Sequence, residues 1–338
     1  MPSGPHRRPG LGEAVNTGHA PPSVLTFGEA LVGYATEEPT LRSATRFTRF
    51  LGGAELNVAV GLTRLGVAAT WASVVGEDAH GDYIIDTVAS LGITSLVDRA
   101  PGPTALMFKA GGDNTDPEVL QIRHDSAFSR HANVVLKDLQ RLRAYRHLHL
   151  TGIPLGTSST ARDTTLALLE SATSAGLTTS FDPNLRLHLF PDQNAMRATL
   201  NAVAAACTVV LPGMHEGRLL TGESHPAEIA EFYLRAGVQE VVIKLGPSGA
   251  FARSATQTAR SRIITVQPVD TVGAGDGFAA GYLTAFLTGS TLQERVDQAA
   301  AVGALVTTRR GDLDAMPTQD DLRAFRSAEA AQADVPSV

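Results

Sequence analysis

The sequence predicts an α/β fold in which a mostly parallel sheet lies between two layers of helices and carries a small β-lid. Short runs of β-branched and apolar residues alternate with longer runs of helical periodicity from residue 23 onward. The composition, 43% hydrophobic and 18% charged residues, is typical of a folded globular chain. Two segments, about 34–50 and 104–123, break the alternation and predict the lid. Ligands of such sheets bind at the carboxyl ends of the strands.

The elements follow one another in a single domain, residues 23–328. A tail rich in proline and glycine, residues 1–22, precedes it, and residues 329–338 follow it; we expect both tails to be disordered. The predicted strands are 24–27, 70–75, 147–150, 178–181, 208–211 and 241–243. The predicted helices are 55–65, 81–91, 159–175, 194–206, 226–236, 276–287 and 292–308.

The lid is predicted from two unlike segments. The first, 34–50, is polar and places arginines between apolar residues. The second, 104–123, has two short apolar runs on either side of a glycine-rich turn at 111–114, which is a hairpin signature.

Charge and cysteine content exclude several function classes. A formal net charge of -6 provides no electrostatic footprint for nucleic acid or an anionic membrane. The single cysteine, Cys207, excludes an intrachain disulfide and a multi-cysteine metal site. There is neither a signal-peptide pattern nor an apolar stretch of ~20 residues. We therefore expect a cytoplasmic protein with a small-molecule partner.

The glycine cluster that begins the predicted helix at 276 carries the clearest chemical signal. Gly273 and Gly275 precede Asp276 where backbone N–H groups can meet an anion. A plain helix cap accounts for two glycines, and a dinucleotide fingerprint has similar spacing but normally opens the first βα unit. A Walker loop requires Lys followed by Ser or Thr where Asp276 stands. A phosphate site with a carboxylate base remains, as phosphoryl transfer to an alcohol requires.

Residues 270–281, together with Gly52-Gly53-Ala54-Glu55-Leu56-Asn57-Val58-Ala59, resemble the two signatures of the ribokinase-like (PfkB) carbohydrate kinase family. The resemblance covers about residues 25–312 and implies a three-layer α/β/α fold and an ATP-dependent sugar kinase that uses Mg²⁺. It implies Asp276 as the catalytic base, an anion hole at Gly273, Ala274 and Gly275, and sugar contacts at Gly53 and Asn57. On their own, Gly53 and Asn57 indicate only a helix start.

The resemblance also assigns a nucleotide side. It implies nucleotide contacts at Lys244, Gly246 and Gly249, besides Gly273 and Gly275, although residues 242–250 by themselves indicate only a hairpin. It gives Glu216 the role of organising water around Mg²⁺, with Gly213 where the family pattern has asparagine. Some members hold a monovalent cation at the positions of Asp270 and Thr271.

The acceptor is suggested by other positions. In the 2-keto-3-deoxygluconate kinases that this chain resembles, the arginine at the position of Arg186 holds the substrate carboxylate, and the aspartate at the position of Asp312 contacts the sugar. Bare sequence allows Arg186 to be a surface cation or a partner of Asp182. The same kinases have a tyrosine and an arginine where this chain has Met107 and Lys109.

These departures leave alternatives open. Lys109 keeps a positive charge for a carboxylate, and Arg123 on the return strand of the hairpin supplies a further donor unless it faces solvent. We therefore prefer 2-keto-3-deoxygluconate as the acceptor, with fructose or another neutral sugar as the alternative. A non-catalytic sugar- or nucleotide-binding regulator is the alternative from another class, and Asp276 argues against it. Family members often form homodimers through the lid, which this sequence permits.

Two histidines offer no further site. His147 and His149 share one face of a predicted strand, but no acid or cysteine completes a ligand set at metal-site spacing. We expect both to be structural.

Overall fold

The computed structural model of the protein describes residues 23–111 and 118–333. Its strands are β1 (Val24–Phe27), β2 (Leu31–Ala35), β3 (Thr48–Gly52), β4 (Ala69–Gly76), β5 (Thr94–Ala100), β6 (Leu106–Ala110), β7 (Glu118–Ile122), β8 (His147–Thr151), β9 (Thr178–Asp182), β10 (Val209–Val210), β11 (Glu240–Lys244), β12 (Ala250–Ser254) and β13 (Thr258–Arg260). Its α-helices are α1 (Ala54–Arg64), α2 (Ala79–Ser90), α3 (Ala127–His131), α4 (Ile153–Thr157), α5 (Ser159–Ser174), α6 (Gln193–Ala205), α7 (Met214–Thr221), α8 (Pro226–Arg235), α9 (Ala274–Leu287), α10 (Leu292–Thr307) and α11 (Gln319–Ala333). Three 3₁₀ segments lie at Ala132–Ala144, Leu187–Leu189 and Gly246–Ser248.

Nine of the described strands form one sheet, in the order β13-β12-β11-β10-β9-β8-β1-β4-β5. Neighbours from β11 to β5 run parallel, and the two pairs at the β13 edge run antiparallel. Most parallel neighbours are joined by helical crossovers, which cover both faces of the sheet. The predicted three-layer fold with a mostly parallel sheet is confirmed.

Strand β1 shows how the core divides into two layers. Val24 packs on the side that holds helices α1, α9 and α10. Leu25 and Phe27 pack on the other side, with helices α5 and α6. A strand covered on both faces consists largely of apolar residues, so it can be recognised as a short apolar run in the sequence.

The observed boundaries agree with the predicted ones to within two residues for every predicted strand and helix. The strands β5 and β13 and the helices α3, α4, α7 and α11 were not predicted from the sequence. Helix α11 continues past the predicted boundary at 328, because the next residues, 329–333, are Glu, Ala and Gln, which favour helix. The predicted tail 1–22, the last five residues of the predicted tail 329–338 and most of the predicted turn 111–114 lie outside the described residues. No helix in the described part of the chain is long and apolar enough to span a membrane.

Helices α1 and α9 pack tightly against each other on the sheet. Helix α1 is buried from Ala54 to Leu62, and α9 from Asp276 to Ala285. At their contact a Cβ on Gly61 would lie 2.7 Å from the Cβ of Ala280, so a side chain there would push the helices apart. The close packing brings the first turns of the two helices together.

The lid is a second sheet of four strands in the order β3-β2-β6-β7. Residues paired directly across strands project from the same face. One face packs on the core through Val32, which is fully buried. The opposite face carries a row of residues in register, one from each strand: Phe50, Gly33, Met107 and Gln121.

Both ends of the hairpin β6-β7 are fixed to the rest of the domain. Thr104, before β6, donates its backbone N–H and its Oγ1 to the carboxylate of Asp78, each at 2.8 Å. Arg123, after β7, donates its Nε to Glu29 Oε2 at 2.9 Å. The lid is therefore anchored where it leaves the main sheet and where it returns.

Candidate active site

Asp276 lies in the first turn of α9. Gly273 caps this helix with a φ of 76°, a conformation that glycine adopts without strain. The side chain of Asp276 is buried and accepts hydrogen bonds from Asn57 Nδ2 at 2.8 Å and from Asn184 Nδ2 at 3.2 Å. Two amides therefore fix the orientation of the carboxylate predicted to be the base.

Asn57 donates hydrogen bonds to two carboxylates, those of Asp276 and Asp312. Its Nδ2 also donates to Oδ1 of Asp312 at 2.6 Å. Burial, together with the charge of Asp312, raises the pKa of Asp276 well above its ordinary value, although the hydrogen bond from Asn57 acts in the opposite direction. Burial likewise raises the pKa of Asp312 to about 6. A carboxylate whose pKa is raised toward neutrality is a stronger proton acceptor than an exposed one.

The backbone N–H groups around Asp276 form an anion site. The amide of Ala274 donates to the carbonyl of Thr271 at 3.3 Å, whereas those of Gly275 and Asp276 have no acceptor among the described residues. Lys244 lies close by, since a Cβ on Gly275 would be 3.8 Å from Lys244 Nζ. Free amides at a helix N-terminus and a lysine ammonium together suit a phosphate. Of the predicted anion-hole residues, Ala274 has its amide engaged, whereas the amides of Gly273 and Gly275 have no acceptor in the described part of the chain. Asp276 adds a further free amide, and the anion-binding role of all of them stays a prediction.

Lys244 ends β11 and forms a buried ion pair with Asp182, which ends β9. The distance from Lys244 Nζ to Asp182 Oδ2 is 2.6 Å. Burial alone would lower the pKa of Lys244, but the charges of Asp182, Glu216 and Asp276 raise it above its ordinary value. Lys244 is therefore cationic beside the helix N-terminus. We call the space bordered by Asp276, Asp312 and Lys244 the catalytic cleft.

Glu216 has both carboxylate oxygens bound by backbone amides. Oε1 accepts from the N–H of Leu185 at 2.7 Å, and Oε2 accepts from the N–H of Gly213 at 2.6 Å, which caps α7. Among the described residues no group of three or more His, Cys, Asp or Glu side chains converges to hold a metal. Asp182 and Glu216 fit a magnesium ion that arrives with phosphates, because such an ion keeps several waters and needs one or two carboxylates. The water-mediated role of Glu216 stays a prediction.

The segment after Lys244 is a tight turn between antiparallel strands β11 and β12. Gly246 and Gly249 have φ values of 59° and 84°. The amide of Leu245 donates to the carbonyl of Gly249 at 2.9 Å. The turn therefore forms the hairpin that the bare sequence indicates, and nucleotide contacts at both glycines stay predictions.

The residues predicted to contact the sugar lie together at the start of α1. A Cβ on Gly52 would lie 2.5 Å from Oδ2 of Asp312, and a Cβ on Gly53 would lie 2.9 Å from the carbonyl oxygen of Glu29. The glycines therefore allow α1 to begin against these groups, with Asn57 one turn further along. Gly53, Asn57 and Asp312, predicted from separate parts of the chain, border one space.

Two cationic side chains, those of Lys109 and Arg186, influence Asp312. Lys109 Nζ lies 4.0 Å from Asp270 Oδ1, and the charges of Lys109 and Arg186 both lower the pKa of Asp312. Arg186 is exposed and donates to the carbonyl of Leu185 at 3.3 Å. It does not pair with Asp182, which is the partner of Lys244. Its other guanidinium donors have no acceptor in the part of the chain that the structure describes.

Arg123 differs from its prediction. It was expected either to donate to the substrate or to face solvent, yet it is only 8% exposed. Its Nε and Nη2 lie 2.9 and 2.7 Å from Oε2 of Glu29, and Ser126 also donates to Glu29. A guanidinium that left this pair would strand a buried carboxylate. Arg123 therefore anchors the lid in this structure.

Sequence patterns gave no role to two buried or half-buried polar residues, Asn184 and Glu55. Asn184 has a φ of 38° and donates to Asp276; its signal in the sequence is its position just after strand β9. Glu55, in the first turn of α1, accepts a hydrogen bond from Thr151 Oγ1, and burial raises its pKa to about 7. Its signal in the sequence was its place in the first signature, between Gly53 and Asn57.

Comparison with known proteins agrees with this geometry. The model of the pfkB family of carbohydrate kinases matches residues 22–319. The chain is 40% identical over 314 residues to 2-dehydro-3-deoxygluconokinase of Bacillus subtilis, covering 90% of this chain and 95% of that protein. It is 31% identical over 324 residues to probable fructokinase-7 of Arabidopsis thaliana, covering 90% and 92%.

Solved structures show the same fold. A PfkB protein from Polaromonas sp. JS666 superposes with a TM-score of 0.81 at 38% identity, over 89% of this chain and 99% of that one. A putative ribokinase II from E. coli, in complex with ATP and Mg²⁺, superposes with a TM-score of 0.84 at 27% identity, over 91% and 99%. With signatures, cleft and family model in agreement over nearly the whole described chain, this protein belongs to the pfkB family of carbohydrate kinases.

Proposed function

We propose that this protein transfers the γ-phosphoryl group of ATP to the primary hydroxyl of 2-keto-3-deoxygluconate, giving the 6-phosphate and ADP. The buried carboxylate of Asp276, next to the free amides of Gly275 and Asp276, is the observation that carries the proposal. The relative from Bacillus subtilis, at 40% identity, supports a sugar acid as the acceptor. Lys109 and Arg186, both acting on Asp312, support a carboxylate in the cleft.

The cleft residues have distinct tasks in this reaction. Asp276 takes the proton of the acceptor hydroxyl as the hydroxyl oxygen bonds to the γ-phosphorus. The bond between that phosphorus and the bridging oxygen breaks, and ADP leaves with the electron pair. The amides of Gly275 and Asp276, with the ammonium of Lys244, donate to the phosphoryl oxygens and stabilise their charge.

Magnesium, when bound with the nucleotide, neutralises charge on the phosphates. Asp182 and Glu216 would hold its water shell from the protein side. The monovalent-cation loop at Asp270 and Thr271 stays a prediction. Asp270 Oδ1 already accepts the N–H of Val272 at 3.0 Å, and its other oxygen has no hydrogen bond to the described residues.

A neutral sugar such as fructose is the second candidate. The relative from Arabidopsis thaliana, at 31% identity, and the lack of a hydroxyl on Met107 favour it. A coupled ADP-release assay with 2-keto-3-deoxygluconate, 2-keto-3-deoxygalactonate, fructose, ribose and adenosine decides between acceptors. We expect the highest kcat/KM with 2-keto-3-deoxygluconate. A preference for fructose would contradict the sugar-acid assignment. No turnover of any acceptor would favour a non-catalytic sugar- or nucleotide-binding regulator.

Arg186→Ala sharpens the same test. A charge-assisted bond to a carboxylate contributes about 1.5–3 kcal/mol, so KM for the sugar acid should rise roughly 10- to 150-fold. KM for a neutral sugar should change less than about threefold. An equal rise for both kinds of acceptor would contradict a carboxylate role for Arg186.

We also propose a homodimer formed through the lid. Strand β7 lies at the edge of the described lid sheet, and three of its apolar side chains are about half exposed: Val119, Leu120 and Ile122. An unpaired edge with apolar side chains is suited to pairing with a second copy. Sedimentation velocity should give the mass of a dimer at micromolar concentration, and a monomer there would contradict the proposal.

A further inference from the structure

The side-chain amide of Gln121 lacks adequate hydrogen-bond partners. Its Oε1 is buried and has no partner among residues 23–111 and 118–333. Within the described part of the chain, its Nε2 donates only to the thioether sulfur of Met107, at 3.8 Å, and such a sulfur is a weak acceptor. Rotating the amide by 180° would exchange the two atoms and leave the same deficit. Buried polar groups normally have partners, so an amide in this state indicates a missing polar ligand.

The position of Gln121 in the lid shows where that ligand would lie. Gln121 pairs with Met107 across β7 and β6, so both side chains project from the same face of the lid sheet. Lys109, two residues after Met107, projects from this face as well, and its Nζ lies 4.0 Å from Asp270. The face that carries Gln121 therefore looks toward the loop that leads into α9.

The other end of the same row leads to the predicted sugar side. Phe50 belongs to the row of Gln121, and Gly52 follows two residues later on the same face of β3. Gly52 borders Asp312, because a Cβ there would lie 2.5 Å from Oδ2 of Asp312. The row thus runs between the residues that border Asp312 and those that border Asp270, next to the Asp312 side of the catalytic cleft.

The pattern of polarity along β7 supports a ligand on this face. Leu120 and Ile122, which project from the opposite face, are about half exposed, whereas the amide oxygen of Gln121 is buried. A strand stabilised by packing alone would place its apolar residues inward and its polar residue outward. The glutamine instead faces the cleft.

We propose that the amide of Gln121 hydrogen-bonds the acceptor sugar and contributes to the choice of acceptor. Nε2 donates to a carbonyl, carboxylate or hydroxyl oxygen of the sugar, and Oε1 accepts from a sugar hydroxyl. Gln121 thereby provides, from the neighbouring strand, the polar group that Met107 lacks. This inference rests on the proposed function, because it requires a sugar in the cleft. A buried site that hydrogen-bonds a substrate group discriminates strongly against sugars without that group.

Gln121→Leu and the length-preserving Gln121→Met test the proposal, with Gln257→Leu in the exposed turn between β12 and β13 as a matched control. Steady-state kinetics with the preferred acceptor should show a KM at least about tenfold higher for both Gln121 variants. Their kcat should change less than about threefold, and Gln257→Leu should match the unmodified protein. Without sugar, the Tm of both variants should equal or exceed that of the unmodified protein, because each removes an unsatisfied amide.

The outcomes separate this inference from the proposed function. An unchanged KM in a folded variant, with 2-keto-3-deoxygluconate phosphorylated normally, would overturn the role of Gln121 alone. A lowered Tm with an unchanged KM would make the amide structural. If the unmodified protein prefers fructose, the sugar-acid assignment is wrong, and the KM for fructose then decides the role of Gln121. If Gln121→Leu fails to fold, Gln121→Met supplies the same readouts.

Discussion

Asp276→Asn removes the proposed base while it keeps the size of the side chain. The new amide oxygen can still accept from Asn57 at the cost of the weaker bond from Asn184, so the first turn of α9 should keep its fold. A positioned general base typically contributes about 10²- to 10⁴-fold to the rate. Because burial and Asp312 raise the pKa of Asp276 and make it a strong acceptor, we expect kcat to fall roughly 10³-fold. This loss corresponds to about 4 kcal/mol in the activation free energy.

Nucleotide binding and stability should respond differently. Lys244 and the amide of Gly275 remain, so affinity for an ATP analogue should change less than about threefold. The raised pKa means that folded Asp276 holds its proton more tightly than the unfolded chain does. Its contribution to stability is complete below the unfolded pKa and is lost as pH rises toward the folded pKa. Asn does not ionise, so the variant should have the higher Tm at pH 8, and the difference should narrow toward pH 4.

The assay combines coupled ADP release for kcat, calorimetry for the analogue and thermal unfolding across pH. Asp314→Asn is the matched control, since it makes the same exchange at an exposed aspartate close to Asp312 in the chain. It should keep normal turnover. A kcat for Asp276→Asn within tenfold of the unmodified protein would refute the assignment of the base. A large loss of analogue affinity would show that the variant damages the anion site instead.

Further substitutions test the remaining contacts. Arg123→Met leaves Glu29 buried and unpaired, so the free energy of unfolding by denaturant should fall by about 3–5 kcal/mol; a loss below about 1 kcal/mol would contradict a buried pair. Burial raises the pKa of Asp312 from 3.8 to about 6, so the unmodified protein should lose roughly 3 kcal/mol of stability relative to Asp312→Asn as pH rises through that window. A pH-independent difference in unfolding free energy would refute that shift. Lys244→Met should raise KM for ATP about 10- to 100-fold, with KM for the sugar nearly unchanged; the reverse pattern would place Lys244 on the sugar side.

Local patterns in the sequence were sufficient for the parallel strands other than β5 and for helix α9. Runs such as that of β1 are apolar because both faces are covered, and Gly273 and Gly275 indicate a helix start that meets an anion. Asp276 stands out because a carboxylate beside an anion-binding helix start would repel the anion. Its presence there therefore indicates a chemical role such as that of a base. Strand β5 was missed because its side chains are only partly buried, and its sequence mixes polar and apolar residues without strict alternation.

Local patterns could not predict ion pairs between residues that lie far apart in the chain. Arg123 follows a strand of mixed polarity, which locally indicates solvent, and its partner Glu29 lies 94 residues earlier. Lys244 and Asp182 are each at the end of a strand, but only the strand order brings the two ends together. A local pattern indicates whether a side chain is buried. It does not identify the residue of opposite charge that pairs with a buried charged group.

The tight packing of α1 against α9 has a consequence for how the chain is made. Asn57 and Asp276 are 219 residues apart, so at roughly 5–20 residues per second the ribosome completes α9 some 10–40 seconds after α1. During that interval the surface of α1 around Gly61, which later meets Ala280, has no cover. We expect nascent chains that end before α9 to expose this surface, bind hydrophobic dyes and depend on chaperones. The two halves of the catalytic cleft are thus assembled only after most of the protein has been synthesised.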